Sequence, residues 1–162
     1  MSDLEQLMRV LPMVGAEPSI LDDTGIAHVV AQGHHILSRR TVPGLRVELE
    51  ETPGALIGHI VVEAGVAIAQ PTHLCFGLTH PTGVQQIAID VQVQEGAQAR
   101  VLSHCLFPVA QSAQHRMQAV MTIGPGASLT YTEGHYHGPH GGMQVLPHAT
   151  ITVGQGARYF SD

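Results

Sequence analysis

Glycine returns in this chain at a nearly constant interval. Gly65, Gly96, Gly126 and Gly156 each close a strand-like run, in "HIVVEAGVAI", "VQVQEGAQA", "MTIGPGASL" and "ITVGQGARY", at spacings of 31, 30 and 30 residues. The flanks return with them. Val62, Val93, Ile123 and Val153 stand three residues before each glycine, Ile60, Val91, Met121 and Ile151 five before, and Val66, Ala97, Ala127 and Ala157 directly after. A small residue at a turn beside aliphatic columns is what stacked coils require, because each coil buries its apolar face against the next at the roughly 4.8 Å strand spacing. An ordinary antiparallel sandwich has no reason to keep four glycines and three flanking columns in one register. The spacing therefore predicts an all-β chain folded as a parallel β-solenoid of about 30 residues per repeat.

Period-two alternation supports half-buried strands: Ile87, Ile89, Val91 and Val93 alternate with Ala88, Asp90 and Gln92. A weaker unit around Gly33, in "AHVVAQGHHIL", has poorly matching flanks and reads as an atypical capping coil. Before it, Ser2 and Glu5 have capping-box spacing, and Leu4, Leu7, Met8 and Leu11 share one helical face. That pattern predicts a short amphipathic helix over residues 3–14, ended before Pro18. The expected organisation is an N-terminal helix and connector over 1–24 and a β-helix domain over 25–162.

Of the 162 residues 44% are apolar, mostly aliphatic, and there is no tryptophan, so the core must be built from aliphatic layers. All seven basic residues are arginines and the formal charge is −6, which excludes a basic nucleic-acid footprint, a lysine nucleophile and a Walker A phosphate site. Two cysteines are too few for a disulfide framework and fit a reducing cytoplasm; a bridge between neighbouring rungs is the disfavoured alternative. The N-terminus carries acidic residues where an export signal would be basic, and no run reaches membrane-spanning length.

The strong bias is toward histidine, with 12 residues. Counted from each repeat glycine, "PTHLCF", "LSHCLF" and "TEGHYHG" occupy equivalent places, so His73, Cys75, His104, Cys105, His135 and His137 form the rungs of a ladder. Residues two apart on a strand share a face, which groups Tyr131, Glu133, His135 and His137, and likewise Ser103 and Cys105. Cys105 and His135 should then lie one strand spacing apart, with His137 beside them, while His104 points away. Pro71 leaves the facing of His73 and Cys75 open. Two imidazoles and a thiolate suit zinc, iron or an iron–sulfur cluster better than calcium or magnesium. Glu133 is a further ligand or a partner orienting His135. The competing reading is that these side chains fill a corner of the solenoid. His140 in "GPHGG" and the remaining histidines, His28, His34, His35, His59, His80, His115 and His148, have no such alignment and no assigned role.

With the repeat rhythm and "IVVEAG", "LSHC", "YTEGHYHG" and "GARYF" in view, residues 25–160 resemble the SufB/SufD family of iron–sulfur cluster assembly proteins. The resemblance implies a right-handed parallel β-helix, a cytoplasmic scaffold that does not itself hydrolyse ATP, a paired β-helix subunit or homodimer, and a SufC-type ABC ATPase partner. Full-length members continue into a segment with a His-Glu-Ala-type motif and C-terminal helices. This sequence has neither, so the family's ligand positions do not transfer to it residue by residue.

The leading expectation is a noncatalytic scaffold or accessory protein in iron–sulfur assembly. Its candidate metal ligands are Cys105, His135, His137, Cys75, His73 and Glu133, and its cofactor is an iron–sulfur cluster or iron, with zinc as the alternative. Two other readings stand beside it. "HYH" after a glycine-rich strand evokes a cupin-like metalloenzyme, although no glutamate follows at the spacing such a site uses. A solenoid with an open terminal coil also serves as a metal-free interaction module that closes by dimerisation.

Overall fold

The structure, a computed structural model, describes residues 1–162. After a helix, α1 (Asp3–Val10), come eleven strands: β1 (His28–Gln32), β2 (His35–Arg40), β3 (Leu45–Glu51), β4 (Leu56–Val62), β5 (Thr72–Gly77), β6 (Thr82–Val93), β7 (Gln98–Phe107), β8 (Ser112–Ile123), β9 (Ser128–His137), β10 (Met143–Val153) and β11 (Arg158–Ser161). They form two sheets of order β11-β9-β7-β5-β1-β2 and β10-β8-β6-β4-β3. From β4 onward the chain alternates between the sheets and these strands pair with one another only in parallel, so the molecule is a parallel β-solenoid of about four turns.

The glycine repeat is the turn between the sheets. Gly65, Gly96, Gly126 and Gly156 have φ of 72°, 68°, 67° and 67°, a region that residues with a Cβ enter only at a cost. Each turn is tied to the next coil: Gly65 N–H donates to Glu95 O, Gly96 N–H to Pro125 O and Gly126 N–H to Gln155 O, at 2.9, 3.0 and 3.0 Å. Between the sheets lies an aliphatic core that includes Ile60, Val62, Ile87, Val91, Val93, Met121, Ile123 and Leu129.

The Gly33 unit is not a coil. Gly33 turns β1 back into β2, and β3 pairs with β4, both antiparallel, so two hairpins end the sheets on this side. Excursions between β1 and β4 leave no room for the 30-residue register there: Val29 pairs with Leu74, 45 residues on.

The expected N-terminal helix forms with its capping box: Glu5 N–H donates to Ser2 Oγ, and Ser2 N–H donates to Glu5 Oε2. The α-helix is shorter than the periodicity predicts. It gives way to a 3-10 turn over Leu11–Val14 because Pro12 lacks an N–H and its ring crowds the preceding turn. This segment covers the outer face of β1, β5 and β7, burying Leu7, Leu11 and Ile20 with Val30, Cys75 and Leu106. Val14 also packs on the outer face of β9, where a Cβ at Gly134 would stand 3.2 Å from the Val14 Cβ. No helix is long and apolar enough to cross a membrane.

Candidate metal centre

Strands β7 and β9 pair in the register expected from the glycines: Ser103 faces Glu133, Cys105 faces His135 and Phe107 faces His137. The inward columns that carry Val101 and Tyr131 in the core continue through Cys105 and His135. Cys105, Glu133 and His135 thus meet on one inner face, with a potential ligand atom from each within 4.8 Å of the other two. His137 does not join them. Its ring stacks on His135 at 6.0 Å between centroids and meets Phe107 edge-on at 5.6 Å, a flanking position.

The first rung of the expected ladder lies elsewhere. Ala67 pairs with Gln98, 31 residues on, whereas Thr72 pairs with Val101, only 29 on, so the stretch ending at Pro71 holds two extra residues. Cys75 consequently faces His104, and Cys105 faces Phe76, which puts the two cysteines on opposite faces of the sheet. Both are free and buried, and this orientation excludes the bridge between them. Cys75 packs beneath α1, where burial pushes its thiol up to about 12. His73 Nδ1 and His104 Nε2 lie 3.0 Å apart on that same outer face. His73 and Cys75 are therefore remote, by facing, from the Cys105 group.

Within the group each carboxylate oxygen has a partner. Glu133 Oε1 accepts from His135 Nε2 at 2.6 Å, and Oε2 accepts from the Tyr131 hydroxyl at 2.8 Å. Burial alone would raise the Glu133 carboxyl, but the hydrogen bonds from His135 and Tyr131 outweigh it and hold the group below the usual carboxylate range. The Cys105 thiol is driven the other way, by burial first and by the neighbouring Glu133 charge second.

The opposite sheet adds two side chains that the ladder does not contain. His115 on β8 points inward from across the coil, and its Nε2 lies 3.6 Å from Cys105 Sγ. Its Nδ1 lies 2.8 Å from Gln85 Oε1 on β6, one coil earlier. Burial brings the His115 imidazole down to about 4, so it is neutral near pH 7. The glycine register, followed only through the Cys/His strand ends, misses both residues. The signal was nevertheless available: Gln85 and His115 are spaced by the repeat and continue the inward aliphatic columns of Ile87 and Met117, where a polar side chain is anomalous.

Access to the group comes from one side. Cys105 and His115 are fully enclosed, whereas the Glu133 and His135 side chains keep 23% and 27% exposure. On β9 itself, β11 pairs as far as Tyr131, and Glu133 N–H donates to Asp162 O at 2.8 Å.

A thiol, a carboxylate and an imidazole form a donor set that fits zinc or iron and is poor for calcium or magnesium, which take oxygen ligands. The protonated thiol would exchange its proton for the metal. The group thus offers three of the donors that such an ion takes.

No family model matches the chain. An iron–sulfur cluster assembly SufBD family protein of Methanocaldococcus jannaschii is 27% identical over 165 aligned positions, which span 100% of this chain and 52% of the relative. A second SufBD family protein, from Pyrococcus horikoshii, is 25% identical over 157 positions, spanning 97% of this chain and 47% of the relative. The chain thus spans about half the length of the curated relatives it matches. The similarity to these SufBD family proteins runs along essentially the whole chain, on a solenoid with this repeat.

Proposed function

We propose that this chain serves iron–sulfur cluster assembly as a noncatalytic scaffold or accessory subunit, taking up iron at Cys105, Glu133 and His135. The observation that carries this reading is the convergence of one thiol, one carboxylate and one imidazole within 4.8 Å on the inner face of two adjacent strands. The names of the two archaeal relatives point the same way. A single inward cysteine is too few for a cluster held by thiolates alone, so the site needs donors from elsewhere. A second copy, or a paired SufB/SufD-like subunit, would supply them. A SufC-type ABC ATPase is the further partner that the likeness to SufBD family proteins brings to the proposal, and two free cysteines suit work in the cytoplasm.

Anaerobic reconstitution of the full chain with ferrous iron and sulfide tests the reading. The expected result is charge-transfer absorption in the visible range that collapses in Cys105→Ala and His135→Ala and survives in Cys75→Ala. A protein that retains no iron, or colour that depends on Cys75 instead, would overturn it.

A further inference from the structure

We infer that His115 is a fourth protein donor to the Cys105, Glu133 and His135 site, aimed from the opposite sheet by Gln85, and that the site's ligand is a single divalent transition-metal ion. This rests on the reading that those three residues take a metal.

The case begins at Gln85, which is fully buried. Its side-chain Nε2 donates to two backbone carbonyls, Gly33 O at 2.8 Å and Gly77 O at 3.1 Å, and only a nitrogen can make both bonds. Oε1 is therefore the atom turned toward His115 Nδ1, and it can only accept. That places the imidazole proton on Nδ1 and leaves the Nε2 lone pair to accept from the Cys105 thiol S–H, whose proton a metal would displace. A histidine with Nδ1–H held by a fixed acceptor and its Nε2 lone pair turned to the ligand side is in the tautomer that binds a metal.

The spacing agrees. Metal–sulfur and metal–nitrogen bonds of about 2.3 and 2.0–2.1 Å at a tetrahedral angle separate the two ligand atoms by about 3.5 Å. Cys105 Sγ and His115 Nε2 are 3.6 Å apart. Together the four residues offer one sulfur, two nitrogens and one carboxylate oxygen. His115 stands outside the 4.8 Å group formed by the other three, so the set closes the shell of one zinc or ferrous ion once binding draws its imidazole inward. It is a poor match for a cluster, whose irons are held mainly by thiolates.

Cobalt(II) is the probe. The full wild-type chain, kept anaerobic, should bind one equivalent with a sulfur-to-cobalt charge-transfer band and the intense visible bands of four-coordination. His115→Ala should keep the charge-transfer band, lose visible intensity as water replaces the imidazole, and bind at least about 10-fold more weakly. Gln85→Leu should weaken binding by about 10-fold or more with the wild-type spectrum retained. X-ray absorption of the loaded wild type reads the same point without a variant, as two imidazoles per metal. Should His115→Ala match the wild type in affinity and spectrum, or the loaded wild type show one imidazole, the fourth-donor inference is overturned while the three-residue site stands. Absence of cobalt binding by the wild type would remove both.

Discussion

Gly96→Ala is the sharpest probe of the repeat. Gly96 has φ +68°, and a Cβ built there finds nothing nearer than the Gly65 Cα at 3.9 Å. The substitution therefore meets no wall, and its whole cost lies in the backbone. Holding a residue with a Cβ in the left-handed region costs about 1–2 kcal/mol. Replacing glycine also narrows the unfolded ensemble, which offsets about 0.4–1 kcal/mol. A net loss of about 1 kcal/mol follows, or a fall in Tm of roughly 2–4 °C for a chain of this size. Gly96→Asn should lose less than Gly96→Ala, because asparagine tolerates this conformation. Single variants are preferable to combinations, since stacked turns lie about one strand spacing apart and neighbouring changes do not add. Urea unfolding followed by circular dichroism gives the free energies. An alanine variant as stable as the wild type, or an asparagine variant no better than alanine, would show that the turn does not depend on the left-handed conformation.

Three further outcomes are expected. Leu7→Ala, which empties a fully buried position between α1 and the outer face of the first sheet, should cost about 2–5 kcal/mol in chemical unfolding; a loss under about 0.5 kcal/mol would mean that the N-terminal segment is not packed there. His28 is buried beside Arg40, and burial first, then the guanidinium, lower its pKa, so the unfolded chain takes up its proton before the folded one does. Stability should consequently fall as pH drops below about 6.5, and His28→Asn should flatten that slope; an unchanged pH profile of Tm would contradict it. Both native thiols should resist alkylation at pH 8 until the chain unfolds, because each is buried and pushed far above the ordinary cysteine range; rapid labelling of Cys75 in the native state would refute this.

Much of the Cys105, Glu133 and His135 group was readable from spacing alone. The 30-residue interval brings Cys105 over His135, and two-residue periodicity adds Glu133 to the same face. His137 shares that parity but sits one pair further along, where it stacks on His135 rather than reaching the group. The ladder's first rung could not be aligned from spacing, because the two residues added before Thr72 return the chain to a different partner while the glycine count stays intact. His73 and Cys75 then face the N-terminal segment, a hydrophobic cover whose position no periodicity encodes.

What the amino-acid sequence determined by itself is local and periodic: the left-handed turn glycines, the alternation along strands, the capping box of α1 and the in-sheet register. These follow from backbone sterics and from a repeat that each coil shares with the next. Only the tertiary structure decided what meets across the coil. His115 reaches Cys105 because the turn between β7 and β8 carries the chain to the opposite sheet at a set depth, and Gln85 is held by the carbonyls of Gly33 and Gly77, 52 and 8 residues away. Such contacts depend on turn length and coil thickness, quantities that no single strand carries in its own pattern.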